Sequence, residues 1–219
     1  FTDTVLIDAK DAILATAKTP TTPANPTLGA LEGGERVLAE AGGTWSQIEG
    51  FIHGTTLATN ALIERRGAVV ATVTTAGFRD ILEIAYERRY SQYDINLVKP
   101  DLIVPRARAF TIAGRMTASG NDIEPLDGGA VAELANDLAS SRADAVAVCL
   151  MHAYANPAHE IRLREMLQQA LPQLVISLSH EVSPEAREFD RLCTTIANAY
   201  IQPLMARYLA DFQMRFAQS

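Results

Sequence analysis

The sequence has few of the features that identify metal, redox or zinc-binding proteins. Only two of its 219 residues are cysteines, Cys149 and Cys193, and their separation fits neither a metal knuckle nor a redox pair. We therefore expect both to be reduced core thiols of a cytoplasmic protein. His152 and His159 are also too far apart in sequence to form the close pair typical of a zinc site.

The sequence also lacks an excess of positive charge, long apolar runs and a dinucleotide-binding motif. A net charge of −7 and a pI near 5.1 exclude general electrostatic attraction to nucleic acid or to an anionic membrane. No run approaches the roughly 18 apolar residues of a membrane span, and no signal peptide is recognisable. The absence of Gly-x-Gly-x-x-Gly after any strand argues against a dinucleotide-binding domain. The chain starts at Phe1, without Met, directly in a strand-like run, so we expect native residues to precede it.

What the sequence does contain is an alternation of helix and strand patterns. Two β-branched runs around an acidic turn predict an opening hairpin, and a proline-rich linker precedes an amphipathic helix that ends at Gly42-Gly43. Further helices are predicted at 57–66, 127–141, from Asn156 to Leu171, and from Pro184 to Ala217 with a kink or break at Pro203. Strands are predicted at 50–53, 68–74 and 109–113, and strands of the fully buried type at 143–150 and 174–178.

This order predicts an α/β fold with a mixed, mostly parallel sheet and helices on both faces. The segment from Gly50 to Thr74 reads as a strand-turn-helix-strand unit with a right-handed crossover. We divide the chain into a body of residues 1–84 and 109–183, a loop or small excursion at 85–108, and a helical linker at 184–219.

Seven segments together resemble the amino-terminal domain of hydantoinase A, found in the hydantoinase/oxoprolinase family and its ketone carboxylase relatives. Their order and spacing make the resemblance specific. They are Phe1-Thr2-Asp3, His53 to Leu62, Thr74 to Asp80, Val104-Pro105-Arg106, Val146 to Glu160, Ser179 to Glu185 and Asn198-Ala199-Tyr200.

The resemblance implies one lobe of an ATPase fold related to actin, Hsp70 and the sugar kinases, with ATP and Mg²⁺ as cofactors. A phosphate loop of the type Asp-x-Gly-Gly-Thr would precede Phe1, leaving Thr2, Asp3 and Thr4 as its remnant and Asp3 near the metal. The resemblance also implies a missing second lobe and a second subunit of the hydantoinase B type. On this interpretation the chain alone binds ATP weakly or not at all.

The run His53-Gly54-Thr55-Thr56 follows a predicted strand and opens a helix, which is where open α/β sheets usually bind ligands. Gly54 permits close backbone approach, and the two threonines offer hydroxyl groups to a phosphate. Simpler interpretations remain open: Thr55 or Thr56 as a helix cap, His53 as a hydrogen-bonded core residue, Asn60 as a surface residue and Asp3 as a turn carboxylate.

Four arginines are candidates for an anionic substrate group: Arg79 in a strand-to-helix turn, and Arg88, Arg89 and Arg106 around the excursion. Each could instead be solvated. Ala85-Tyr86 replaces the Gly-Arg of many relatives, which indicates a specificity element. His180, Glu181 and Glu185 form either an acid/base cluster or, as we prefer, part of a helix start with Ser183 before Pro184.

The resemblance favours the amino-terminal part of an ATP-dependent amidohydrolase that acts on a cyclic amide or imide such as hydantoin or 5-oxoproline. Two alternatives stay open. One is a subunit of a biotin-independent, ATP-dependent ketone carboxylase, and the other is a non-catalytic interaction module.

Overall fold

A computed structural model describes residues 1–22, 25–86 and 93–216 of the chain. These residues form two compact units, one made of residues 1–58 and 204–219 and the other of residues 59–203. The sequence-based division into body, excursion and linker remains a prediction. No helix within the described ranges is long and apolar enough to cross a membrane.

The first unit begins with an antiparallel hairpin of β1 (Thr2–Ile7) and β2 (Ile13–Thr19). The Asp8 carboxylate closes its turn by accepting hydrogen bonds from the backbone N–H groups of Lys10 and Ala12. Asp11 takes a positive φ of 61°, a conformation that Asp tolerates better than most residues. The predicted hairpin is therefore confirmed, and local turn chemistry explains it.

Helix α1 (Pro26–Ala41) covers one face of this hairpin. Asn25, in the predicted linker, caps it by accepting from Thr27 N. Gly42 ends it in the left-handed conformation, as the sequence predicted. The helix lies so close to the hairpin that a side chain at Gly33 would overlap that of Thr4. A side chain at Gly34 would overlap the ring of Trp45, which lies in a 3-10 turn at Trp45–Gln47. Small residues thus set the helix-to-sheet distance.

The second unit is built around a four-stranded parallel sheet in the order β4-β3-β7-β8. A separate hairpin, β5-β6, lies outside it. The strands are β3 (Val70–Thr75), β4 (Ala109–Ile112), β5 (Arg115–Met116), β6 (Asp122–Glu124), β7 (Ala145–Cys149) and β8 (Val175–Leu178). The helices that begin in or next to this unit are α2 (Leu57–Ile63), α3 (Ile81–Ile84), α4 (Gly128–Ser141), α5 (Ala158–Ala170), α6 (Ser179–Val182) and α7 (Glu188–Phe216).

Both faces of the parallel sheet are buried, which is why β3 and β7 are buried along their whole length. On one face Val73, Val146 and Val148 pack with leucines of α4 and α5. On the other face Ala145 and Ala147 pack with Leu192 and its neighbours on α7. The predicted class, α/β with mostly parallel strands and helices on both faces, is confirmed. The antiparallel pairs form sheets of their own instead of extending the parallel one.

Two sequence predictions about individual elements were wrong, and at Pro203, where a kink or break was predicted, the structure contradicts the break. The structure assigns no strand to residues 50–53, so the predicted strand-turn-helix-strand unit lacks its first strand. Helix α7 begins at Glu188, so Ser183 and Pro184 do not start it, and Ser183 instead follows the end of the short α6. Pro203 lies inside α7, which continues through it. A proline costs a helix one hydrogen bond, and packing along a 29-residue helix offsets that loss.

Both cysteines are free thiols, as predicted, but only Cys149 lies in the core. Burial raises the pKa of Cys149 to about 11, and burial also raises the pKa of Cys193, which is exposed on α7.

The two thiols should differ in reactivity. With a pKa of about 11, Cys149 is thiolate at pH 8 in only about one molecule in a thousand. We expect iodoacetamide to modify Cys193 in the native chain and Cys149 only after unfolding. Mass spectrometry of samples taken at successive times measures both rates. The folded Cys193→Ser variant should not react with iodoacetamide, and equal labelling rates for Cys149 and Cys193 in the native chain would contradict the burial of Cys149.

Candidate functional site

His53 lies within an aromatic cluster of the first unit. Its ring centroid is 4.8 Å from that of Phe212 and 6.3 Å from that of Phe51. Its Nε2 and the Tyr208 hydroxyl are 2.5 Å apart and share a hydrogen bond. Trp45 and Phe216 extend the same cluster. The structure thus gives His53 a hydrogen-bonded aromatic environment, and its role towards a phosphate remains a prediction.

This environment makes the stability of the first unit depend on pH. Burial holds the pKa of His53 below its ordinary value of 6.5. As the pH falls below about 6.5, the unfolded chain takes up a proton that the folded chain resists, so the folded state loses stability. We expect the urea midpoint to fall between pH 7.5 and pH 5.5, and to fall less in His53→Phe. An equal fall in both proteins would show that other groups cause it.

The three residues after His53 combine an open backbone with a cap. The space where a Gly54 side chain would stand has no heavy atom within 4 Å. Thr55 Oγ1 accepts from Leu57 N at 3.2 Å and so caps α2, which is the simpler of the two sequence interpretations. Thr56 lies beside it and has an interaction of its own. An anion could therefore approach the backbone at Gly54 while Thr55 holds the start of the helix.

Thr2, Asp3 and Thr4, which were predicted to border a phosphate loop, are divided between two faces of the hairpin. Thr2 Oγ1 lies 3.3 Å from where a side chain at Gly29 would begin, and Thr4 packs against Gly33 of α1 in the same way. Asp3 points to the other, exposed face, where it pairs with Lys18 across the hairpin at 3.3 Å. Strand alternation explains the division. A phosphate on this strand would meet Asp3 and the threonines from different sides.

Asn60 and Arg79 fall in the second unit. Asn60 lies on α2 and has an interaction of its own. Arg79 lies in the turn between β3 and α3, as predicted, and its Nη2 donates to Arg106 O at 3.3 Å. Arg106 in turn donates to both carboxylate oxygens of Asp80, which lowers the pKa of that carboxyl. Arg88 and Arg89 lie outside the described residues.

A buried polar network in the second unit was not predicted from the sequence. Glu160, in the first turn of α5, is fully buried, and its Oε1 accepts from Leu150 N at 2.9 Å and Ser179 Oγ at 2.6 Å. Its Oε2 accepts from the backbone N and the Nδ1 of His180. Arg191 of α7, also fully buried, donates to Ser179 Oγ at 3.1 Å and to Leu150 O at 2.9 Å. Ser179 therefore bridges the two buried charges.

The structure gives His180, Glu181 and Glu185 defined partners. His180 is held by Glu160 at 2.7 Å, and Glu181 accepts a pair of hydrogen bonds from Arg164 and lies 4.0 Å from His180 Nε2. Glu185 contributes its backbone carbonyl to Arg191. None of the three starts α7, which begins at Glu188, and the acid/base cluster remains a hypothesis. Asn156 Oδ1 accepts from Ala158 N at 3.0 Å, but Pro157 occupies the N-cap of α5, so the helix begins one residue later than predicted.

Asp3 was predicted to lie near a metal ion. Within residues 1–22, 25–86 and 93–216, no group of three or more His, Cys, Asp or Glu side chains is arranged to hold one. Asp3 is an exposed carboxylate beside a lysine. Mg²⁺ in proteins is usually held by one or two carboxylates together with phosphate oxygens and water. The residues described here therefore do not form a Mg²⁺ site by themselves.

The described residues thus combine a parallel α/β unit with a small hairpin unit. The chain belongs to the hydantoinase/oxoprolinase family, because the model of that family's N-terminal region matches residues 1–171. Over 224 aligned residues it is 34% identical to caprolactamase subunit alpha of Pseudomonas jessenii, covering 100% of this chain and 32% of that protein. The crystal structure of that ATP-dependent caprolactamase matches 98% of this chain and 32% of its own with a TM-score of 0.86.

Other relatives carry different activities in their names. The chain is 30% identical to the acetophenone carboxylase gamma subunit of Aromatoleum aromaticum, covering 94% of this chain and 30% of that protein. It is 28% identical to 5-oxoprolinase 1 of Arabidopsis thaliana, covering 89% of this chain and 17% of that protein. The chain thus spans about a third or less of the length of the curated relatives it matches. Family membership alone does not choose among these reactions.

Proposed function

We propose that this chain is the amino-terminal part of an ATP-dependent amidohydrolase that opens a cyclic amide or imide, such as hydantoin, 5-oxoproline or a similar lactam. The observation that carries the proposal is the similarity to caprolactamase subunit alpha along the whole chain, in sequence and in fold. The carboxylase relative is less similar and is aligned over less of the chain.

The chemistry explains why such an enzyme uses ATP. Amide resonance makes a lactam carbonyl a poor electrophile, and phosphorylating its oxygen turns that oxygen into a leaving group. Phosphoryl transfer asks the protein mainly to position the reactants and to neutralise developing charge. In the proposed site the open backbone at Gly54 approaches the phosphates, and Thr55 and Thr56 hold the segment that presents it.

The other predicted residues have supporting roles in this proposal. The His53 and Tyr208 pair fixes the start of the 53–56 segment. Thr2, Asp3 and Thr4 border a phosphate loop, and Asn60 and Arg79 contact nucleotide and substrate. A Mg²⁺ ion held near Asp3 would need further ligands beyond the described residues.

The proposed enzyme contains more polypeptide than this chain. Two relatives are named as subunits, caprolactamase subunit alpha and acetophenone carboxylase gamma subunit. We propose that a second ATPase lobe completes the nucleotide site and that a second subunit of the hydantoinase B type takes part in the reaction. A ketone carboxylase subunit is the alternative that the acetophenone carboxylase relative favours.

The deciding experiment measures ATP hydrolysis by the complete enzyme with caprolactam, hydantoin or 5-oxoproline, and separately with acetophenone plus bicarbonate. Stimulation by a cyclic amide, with ring-opened product, is the expected result. Stimulation only by the ketone and bicarbonate would assign the chain to a carboxylase. No stimulation by any of them would favour an interaction module.

Within that assay, Thr55→Ala tests the 53–56 segment. Removing the cap loosens the backbone that faces the phosphates, so we expect kcat to fall about tenfold, which corresponds to roughly 1.4 kcal/mol of transition-state stabilisation. Thr55→Ser keeps the hydroxyl and should retain most of the activity. If both variants match the parent enzyme, the segment does not act at the nucleotide.

A further inference from the structure

A groove of about 390 Å³ runs along the outer edge of the parallel sheet in the second unit. Strand β4 is the edge strand on that side, and all five residues from Ala109 to Ala113 line the groove. A groove that follows five consecutive residues has the shape of an extended chain, about 3.3 Å per residue. Its other lining residues are Arg79, Ala130, Glu133, Leu134 and Asp137.

The backbone of β4 presents hydrogen-bonding groups to this groove. Ile112 O accepts from Ala76 N at 2.9 Å, so the carbonyl of Ile112 points towards β3. Neighbouring residues of a strand direct their backbone groups to opposite sides, so the N–H and C=O of Thr111 point outwards. In the described part of the chain no strand pairs with that side of β4. An edge of this kind is a template for an additional strand.

The two walls of the groove carry opposite charge. Glu133 and Asp137 are four residues apart on α4, whose Leu134 and Leu138 pack on one face of the sheet. Arg79 lies in the turn that leads to α3, whose Leu82 packs on the other face. Acidic side chains therefore border the groove on one face and a guanidinium group borders it on the other.

We propose that this groove binds an extended segment of a partner polypeptide in which acidic and basic side chains alternate. Successive side chains of a strand point to opposite faces. Basic side chains would then meet Glu133 and Asp137, acidic side chains would meet Arg79, and the partner backbone would pair with Thr111. This inference concerns assembly. Thr111, Glu133 and Asp137 are not part of the nucleotide site proposed above, and Arg79 is the residue that the two proposals share.

A second copy of this chain does not fit the same groove. Two copies paired antiparallel through β4 about a twofold axis keep their faces aligned. Glu133 and Asp137 of one copy would then face the same carboxylates of the other, and Arg79 would face Arg79. Like charges across an interface disfavour the pairing, so the charge pattern selects a different polypeptide.

The test uses nitrogen-15-labelled protein and an octapeptide of alternating Glu and Lys with blocked ends. We expect saturable shifts of the Thr111 and Ala113 amide signals. The double variant Glu133→Lys, Asp137→Lys should weaken binding about tenfold, since it removes two exposed ion pairs, each of which contributes little. Both changes are on exposed positions of α4, so the fold should survive them.

Two matched peptides separate strand pairing from simple charge attraction. A block peptide of four Glu followed by four Lys has the same composition without alternation, and an alternating peptide methylated on every second backbone nitrogen cannot pair with the edge. Both should bind at least about tenfold more weakly than the alternating peptide. Equal binding by either peptide, the absence of shifts at Thr111, or equal competition by 6-aminohexanoate would overturn the proposal.

Discussion

Replacing Arg191 by methionine is expected to destabilise the second unit by about 3–5 kcal/mol, the cost typical of removing one charge from a buried polar network. Arg191 and Glu160 are both fully buried and are joined through the Ser179 hydroxyl. Methionine fills much of the volume but removes the buried positive charge, so that His180 is the remaining direct partner of the Glu160 carboxylate among these basic groups. It also leaves Leu150 O without the donor it now has at 2.9 Å.

Urea unfolding followed by far-ultraviolet circular dichroism measures this loss. The matched control is Arg162→Met, because Arg162 lies exposed on α5, where substitutions usually change stability by less than about 0.5 kcal/mol. Adding Glu160→Gln to Arg191→Met should recover part of the stability, since it removes the buried carboxylate charge that Arg191 no longer offsets. If Arg191→Met unfolds at the parent urea concentration, the network contributes nothing to the fold.

Replacing Gly33 by alanine should destabilise the first unit by about 1–3 kcal/mol, the usual cost of overpacking a close contact. The new methyl group would overlap the Thr4 side chain, so α1 would have to move away from the hairpin. Alanine is the better helix former by roughly 0.8–1 kcal/mol. A net loss would therefore show that the close approach outweighs helix propensity.

Two further variants identify the cause. Gly50→Ala places a methyl group where no heavy atom lies within 4 Å, so its urea midpoint should stay within error of the parent. Thr4→Ala removes the overlapping hydroxyl and should restore most of the stability lost in Gly33→Ala. Unchanged or higher stability of Gly33→Ala would mean that the helix adjusts without cost.

The elements that were correctly predicted have signals within a few residues of one another. Asp8 closes the first hairpin through its own neighbours, and Gly42 ends α1. The apolar run of β7 indicates a strand buried on both faces, and the structure shows both faces covered. Asn156 predicted the start of α5 to within one residue. Turns and helix ends can be predicted from the sequence when the residues that form their hydrogen bonds are neighbours in the chain.

The wrong predictions depended on contacts between distant residues. Residues 50–53 have the composition of a strand but are assigned none, because a strand exists only where another strand pairs with it. The sequence placed His53 at a strand end, whereas it shares a hydrogen bond with Tyr208, 155 residues further along. The neighbouring sequence contains no signal for the buried network, since Glu160 stands between His159 and Ile161, and Arg191 between Asp190 and Leu192.

The sequence by itself determined the α/β class, the hairpin, the end of α1 at Gly42 and, through seven ordered segments, the resemblance to a family that the comparisons then confirmed. These properties depend on short-range hydrogen bonds and hydrophobic periodicity, which neighbouring residues specify. Only the tertiary structure decided that Thr4 packs on Gly33, that Glu160 and Arg191 share Ser179, and that β4 is an edge strand among the residues that the structure describes. Such contacts join residues far apart in the chain, and the folded backbone alone brings them within a few ångströms.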